Sequence, residues 1–118
     1  MKLLVCGGRD FIDAKKLHTV LDRLHKDRLR FNPPTQIIQG VAMGADLMAR
    51  AWAIQHSYEI LDYPADWKKH GRAAGPIRNQ QMLDEGKPDL VVAFPGKTGT
   101  ADMVRRAKAA GVEVIEVP

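Results

Sequence analysis

Short apolar runs, each closed by a turn rich in glycine or proline, alternate along this chain with stretches whose apolar residues recur every three or four positions. Lys2 to Cys6 is the first run, apolar and partly β-branched; it ends at Gly7-Gly8-Arg9-Asp10 and predicts a buried strand followed by a turn. Asp13 is placed to cap a helix with Leu17, Val20, Leu21 and Leu24 on one side and Lys16, Asp22, Arg23 and Lys26 towards solvent. Asn32-Pro33-Pro34 ends that region, because proline brings no amide donor. Gln36 to Gln39 predicts a second strand, and Gly40-Val41-Ala42-Met43-Gly44-Ala45-Asp46 a glycine-bounded turn into a helix over about 45–56. Glu59 to Tyr63 reads as the third strand. From Pro64 the pattern predicts an exposed loop and then a helix from about Pro76 to Glu85, stopped by Gly86 and Pro88. Asp89 to Phe94 is the fourth strand. A helix entered between Thr98 and Asp102 runs to about Ala110, and Val112 to Val117 is the last strand.

Five strands alternating with four helical segments predict an α/β fold, a Rossmann-like three-layer α/β/α open parallel sheet of about five strands. Right-handed crossovers favour the order 3-2-1-4-5, with the whole chain, 1–118, as one domain. In that order the first and fourth strands are neighbours at the switch point. GGRD and PGKTGT then face one another across a crevice, with GVAMGAD beside them.

The stretch Val91 to Met103, VVAFPGKTGTADM, carries the chemistry of that crevice. Gly96 and Gly99 are expected to take positive φ and admit a ligand close to the backbone. The free N–H groups and the positive dipole end of the following helix point at whatever sits there. Thr100 can add a hydroxyl. A tight strand-to-helix turn without a ligand is the alternative reading of the loop alone.

Composition narrows the classes. The chain has 118 residues, 45% hydrophobic and 6% aromatic, enough for a core. No apolar run approaches the roughly 20 residues that cross a bilayer, and MKLLVCGGRD is too short in apolar residues for a signal peptide, so a cytoplasmic protein without membrane contact is expected. The single Cys6 has no cysteine partner and reads as a small core residue. Lys and Arg number 18 against 14 acidic residues, a net charge of +4 that favours anionic partners in general. The basic residues are dispersed, so nucleic acid is not an expected partner. His18, His25, His56 and His70 show no metal-ligand spacing, and no metal or cofactor is expected. A nicotinamide dehydrogenase is disfavoured because the first loop lacks G-x-G-x-x-G and there is no room for a substrate domain.

GGRDF, GVAMGAD, W-x-x-x-G-x-x-A-G-P-I-R-N and FPGKTGTADM together resemble the SLOG superfamily, and more closely its small YspA-like proteins, over nearly the whole chain. The resemblance implies a Rossmann-like domain that binds, and in some branches processes, nucleotides or nucleotide-derived ligands. It also suggests a homodimer. One enzymatic branch, the Lonely Guy phosphoribohydrolases, carries PGGxGTxxE and an upstream arginine followed four residues later by methionine. Arg78 and Met82 match the upstream pair, and Pro95, Gly96, Gly99 and Thr100 match the loop. Lys97 replaces the second glycine, and Met103 stands where that branch has its catalytic glutamate. Methionine can neither activate water nor stabilise an oxocarbenium-like centre. Asp102, one residue away, points about 100° around the helix.

The expected ligand contacts are Gly7, Gly8, Arg9, Gly40, Gly44, Ala45, Asp46, Arg78, Asn79, Pro95, Gly96, Lys97, Thr98, Gly99 and Thr100. Arg78 offers a planar fork of donors for phosphate or ribose oxygens. Arg9 can do the same or pair with Asp10. Asp46 and Asp102 either complement helix dipoles or meet the ligand, and Asn79 can read a base or a hydroxyl. Trp67 either stacks on a base or packs at an edge, and Lys68, Lys69, His70 and Arg72 around it either face solvent or steer an anion inwards. The leading reading is nucleotide binding, with a sensing role possible for such a protein. The alternative is a hydrolase of an N-glycosidic bond, in which Arg78 and Asp102 would be catalytic and Asp46 a further candidate carboxylate.

Overall fold

The computed structural model describes residues 1–118. Its strands are β1 (Lys2–Cys6), β2 (Gln36–Gln39), β3 (Glu59–Asp62), β4 (Leu90–Ala93) and β5 (Glu113–Glu116). All pair in parallel in the order β3-β2-β1-β4-β5, as the alternation predicts. Leu3 lies in register between Ile37 and Leu90 at the centre of the sheet. Such strands must be apolar on both faces, and in β1 the four residues after Lys2 are all buried.

Alternation along β1 divides the core in two. Leu3 and Val5 face a layer made by α1 (Ala14–Asp27) and α2 (Ala45–Gln55), joining Leu17, Leu21, Leu24, Ala49 and Trp52 in a cluster of 15 buried residues. Leu4 and Cys6 face the opposite layer, where Met82 and Leu83 meet Met103 and Ala107 from α5 (Thr98–Ala109) in a cluster of 9. Each fully buried leucine contributes about 1.5–3 kcal/mol. Asp13 caps α1 as expected, its Oδ1 accepting from the Lys16 N–H at 3.0 Å. The edge strands β3 and β5 carry Glu59, Asp62, Glu113 and Glu116, charges that discourage pairing with a further strand.

The segment after β3 departs from expectation. Residues predicted as a loop are helical from Trp67: α3 (Trp67–His70), a 3-10 turn (Gly71–Ala73) and α4 (Ala74–Gln81) follow one another, and a wide turn closes over Met82–Gly86. Asp66 starts this path by accepting from the Lys69 N–H at 3.0 Å, a local cap signal the apolar pattern concealed. Helix α4 begins two residues before Pro76, which still lies in the first turn, where a missing amide costs nothing. Lys87, not Gly86, takes the left-handed position at the helix end (φ 49°). Gly86 leaves room for the sheet: a Cβ there would press on Ile38 Cδ1 at 3.0 Å. No helix is long and apolar enough to cross a membrane.

Candidate functional site

A cleft of about 770 Å³ opens at the carboxyl ends of β1 and β4, the switch point of the sheet. The loops after these strands are stitched together by backbone. Gly8 N–H donates to Pro95 O at 2.9 Å, and Gly8 O accepts from Phe11 at 3.2 Å and from Ala45 at 3.5 Å. Phe11 packs on Phe94 with ring centroids 5.2 Å apart. This approach explains the glycines better than a ligand does. A Cβ on Gly7 would stand 2.6 Å from Ala45 Cβ, and one on Gly96 would stand 2.7 Å from Gly8 N and overlap Thr100 Oγ1. The expected positive φ at Gly96 and Gly99 is not found; in this region only Gly44 among the glycines adopts it, at 85°, against Gly8 O. Nothing stands within 4 Å of where a Gly99 Cβ would be, so that position borders open space.

One wall of the cleft is the first turn of α5. The N–H groups of Thr98, Gly99 and Thr100 have no backbone acceptor, since the first intrahelical bond runs from Ala101 N–H to Lys97 O at 3.0 Å. Helix α2 differs: its Ala45 and Leu47 N–H groups already donate to Gly8 O and Ala42 O. Gly44 and Ala45 therefore sit behind the cleft as loop contacts, and Gly40 borders a smaller adjoining cavity instead.

Arg78 faces the α5 turn from α4. Its Nη1 donates to Gly40 O at 2.7 Å and Tyr63 O at 3.4 Å, and its Nε to Asn79 Oδ1 at 3.2 Å, while Nη2 makes no protein hydrogen bond. Burial lowers its pKa, which Asp46 opposes and the nearby positive charge of Arg9 reinforces. Arg9 does not pair with Asp10. Its guanidinium stacks over the Trp67 ring at 5.1 Å, and Asp10 meets Lys97 at 3.5 Å in an exposed pair at the mouth. Trp67, 47% exposed, is thus a wall of the cleft, seated where Gly75 leaves room for it. Lys68, Lys69, His70 and Arg72 lie outside the lining.

The two candidate carboxylates part company. Asp46 reaches the cleft although only 5% exposed, and burial pushes its carboxyl up to about 6 against the pull of the Ala42 N–H, Arg78, the Gly40 N–H and Arg9. Asp102 does not line it. Asn79 Nδ2 at 3.0 Å, Arg106 Nε at 2.9 Å and Arg105 Nη2 hold its carboxylate. Burial acts to raise Asp102, but the hydrogen bonds of Asn79 and Arg106 and the charges of Arg106 and Arg105 outweigh it and leave the carboxyl below its ordinary range. Asn79 is the joint of the site: it accepts from Arg78, and its Nδ2 also donates to Gly99 O at 3.2 Å, tying the arginine to the α5 turn. Cys6 lines the floor with its thiol pushed up to about 12 by burial and by Asp46, hence neutral and unreactive.

Residues 1–70 match the model of the YspA, cpYpsA-related SLOG family (YAcAr). The chain belongs to this family. It is also 35% identical over 121 residues to the Gene 61 protein of Mycobacterium phage D29, a match covering 97% of this chain and 94% of that one. Membership of the SLOG family is consistent with binding or processing a nucleotide-related ligand. The family's matched segment supplies Arg9, Asp46 and Trp67 to the cleft, and Arg78, Asn79 and the α5 turn come from the remainder of the chain. Phe11, Ile12, Ala42, Trp67 and Met82 are lining residues absent from the expected ligand contacts; of these Trp67 was weighed as a stacking side chain and Met82 matched the arginine–methionine pair, whereas Phe11, Ile12 and Ala42 were not singled out.

Proposed function

We propose that the cleft binds a nucleotide or nucleotide-derived ligand, with phosphate on the first turn of α5 and its charge neutralised by Arg78 and Arg9. The observation that carries this reading is the convergence on one cleft of three unpaired N–H groups, an unpaired guanidinium nitrogen and a second guanidinium. Two like charges held near one another at the end of a parallel sheet suit an anion between them. Incubation of the protein with a mixed nucleotide pool, filtration, and mass spectrometry of both fractions tests it. An intact nucleotide retained by the protein is the expected result; retention of none refutes the reading.

The hydrolase reading keeps one supporting observation, the presence of Asp46 in the cleft with its carboxyl held near 6, close to neutral pH. Met103 is fully buried and Asp102 is engaged by three donors, so base release would have to depend on Asp46. Free base accumulating with wild type and not with Asp46→Asn would establish it.

A further inference from the structure

Asp46 is the buried negative charge of a cleft otherwise suited to anions. Its side chain lines the same space as Arg78 and Arg9, yet it forms an ion pair with neither: Oδ2 accepts from the Ala42 N–H at 3.2 Å, while Arg78 Nη1 gives its bonds to Gly40 O and Tyr63 O. The two groups are nonetheless neighbours. The point where a Gly40 Cβ would stand is 2.2 Å from Arg78 Nη1 and 2.9 Å from Asp46 Oδ2, so guanidinium and carboxylate flank one narrow gap without closing it.

A phosphate held by the α5 turn and Arg78 Nη2 brings a second negative charge beside this carboxylate, where little water screens the repulsion. A proton on the carboxylate removes it. Burial already pushes Asp46 up to about 6, with the Ala42 N–H, Arg78, the Gly40 N–H and Arg9 opposing, so a neutral carboxyl is within reach near neutral pH. The surrounding groups are otherwise engaged. Asp10 meets Lys97 at the exposed mouth, Asp13 caps α1, the Cys6 thiol stays neutral, and Arg50, one turn along α2, is held by Asp62 at 3.0 Å. No histidine lines the cleft. We propose that anion binding here is proton-linked: Asp46 takes up one proton from solvent as the phosphate arrives, so the site holds its ligand tightly with Asp46 neutral and loosely with Asp46 charged. The proposal rests on the phosphate-binding reading and specifies how that site is regulated.

Sulfate tests it, because it resembles a phosphate dianion and takes up no proton of its own between about pH 5 and pH 8. Its affinity is read by NMR from the Gly99 N–H of the α5 turn, in wild type and in Asp46→Asn, at constant ionic strength. Wild type should bind it about tenfold more weakly near pH 8 than near pH 5, whereas Asp46→Asn, with no charge to lose, should keep the acid-side affinity within about twofold throughout. A measurement on wild type alone guards against a misfolded variant. Linkage is reciprocal, so saturating sulfate should raise the midpoint of the Asp46 carboxyl-carbon titration by about one pH unit. A flat profile in wild type, a slope that survives in Asp46→Asn, or an unmoved Asp46 midpoint would overturn the proton linkage and leave phosphate binding standing. A Gly99 N–H unmoved by sulfate at every pH would overturn both.

Discussion

Asp46→Asn probes the most perturbed carboxylate of the cleft. Asp46 is 5% exposed, and burial pushes its carboxyl from 3.8 up to about 6, with the Ala42 N–H, Arg78, the Gly40 N–H and Arg9 opposing. An acid whose pKa is higher in the folded state holds its proton more tightly there than in the unfolded chain. Between about pH 4 and pH 6 the native protein therefore binds more protons, so this residue makes stability fall as pH rises through that window and level off above it. The difference, 6 minus 3.8, is about two units, which at about 1.4 kcal/mol each sets a ceiling of about 3 kcal/mol. Asparagine has nearly the same shape, keeps an oxygen to accept from Ala42, and has no charge to bury. Near pH 7.5 the variant is expected to be more stable than wild type by about 1–3 kcal/mol, and the gap should close towards pH 4. Urea denaturation of both proteins across this range measures it, and subtracting one curve from the other cancels the four histidines. A gap independent of pH, or a variant less stable than wild type above pH 6, would refute the reasoning. The same charge deletion leaves Arg78 and Arg9 unopposed, so a phosphate-bearing ligand should bind Asp46→Asn more tightly than wild type.

Four further substitutions and one control discriminate among roles in the site. Asp102→Ala strips a buried acceptor from Asn79 and Arg106 and should cost about 1–3 kcal/mol in thermal or urea unfolding; since the Asp102 carboxyl is held low, its stabilisation is present above about pH 4 and is lost as pH falls further. Gly96→Ala drives a Cβ against Gly8 N and Thr100 and should destabilise by about 1–3 kcal/mol, whereas Gly99→Ala, with open space and no positive φ, should be neutral or stabilising by up to about 1 kcal/mol; paired melting curves of the same sign for both would contradict the geometry. Arg78→Lys exchanges a fork bonded to Gly40 O and Asn79 for a point charge and should weaken nucleotide binding about tenfold or more, while Arg23→Lys, in an exposed pair on α1, leaves it unchanged by calorimetry.

Much of the architecture was legible because strands and helices announce themselves locally. Continuous apolar runs such as Leu3 to Cys6 can be satisfied only by a strand buried on both faces, and the spacing of Leu17, Leu21 and Leu24 only by a helix with one buried side. Five such strands separated by helices leave few right-handed topologies, and the order 3-2-1-4-5 followed. Pro64 to Asp66 is the loop expected, but Trp67 to Gly75 is helical because Asp66 caps its start, a signal that produces no apolar period.

The site divides along the same line. Its loops could be named from the sequence, since glycines at strand ends and an unsatisfied helix start are local features; residue 7 to residue 9 and residue 95 to residue 100 do border the cleft. What the glycines do could not be named. Gly7, Gly8, Gly44 and Gly96 permit one loop to lie against another, a contact between segments far apart in the chain. Likewise, Asp46 and Asp102 look alike in sequence, each in the first turns of a helix after a glycine loop. Only packing turned Asp46 into the cleft with a raised pKa and gave Asp102 to Asn79, Arg105 and Arg106. Local spacing encodes which residues share a face of one element, whereas a carboxylate's charge state and a guanidinium's free nitrogen depend on neighbours brought in by other elements, and those exist only once the sheet has assembled.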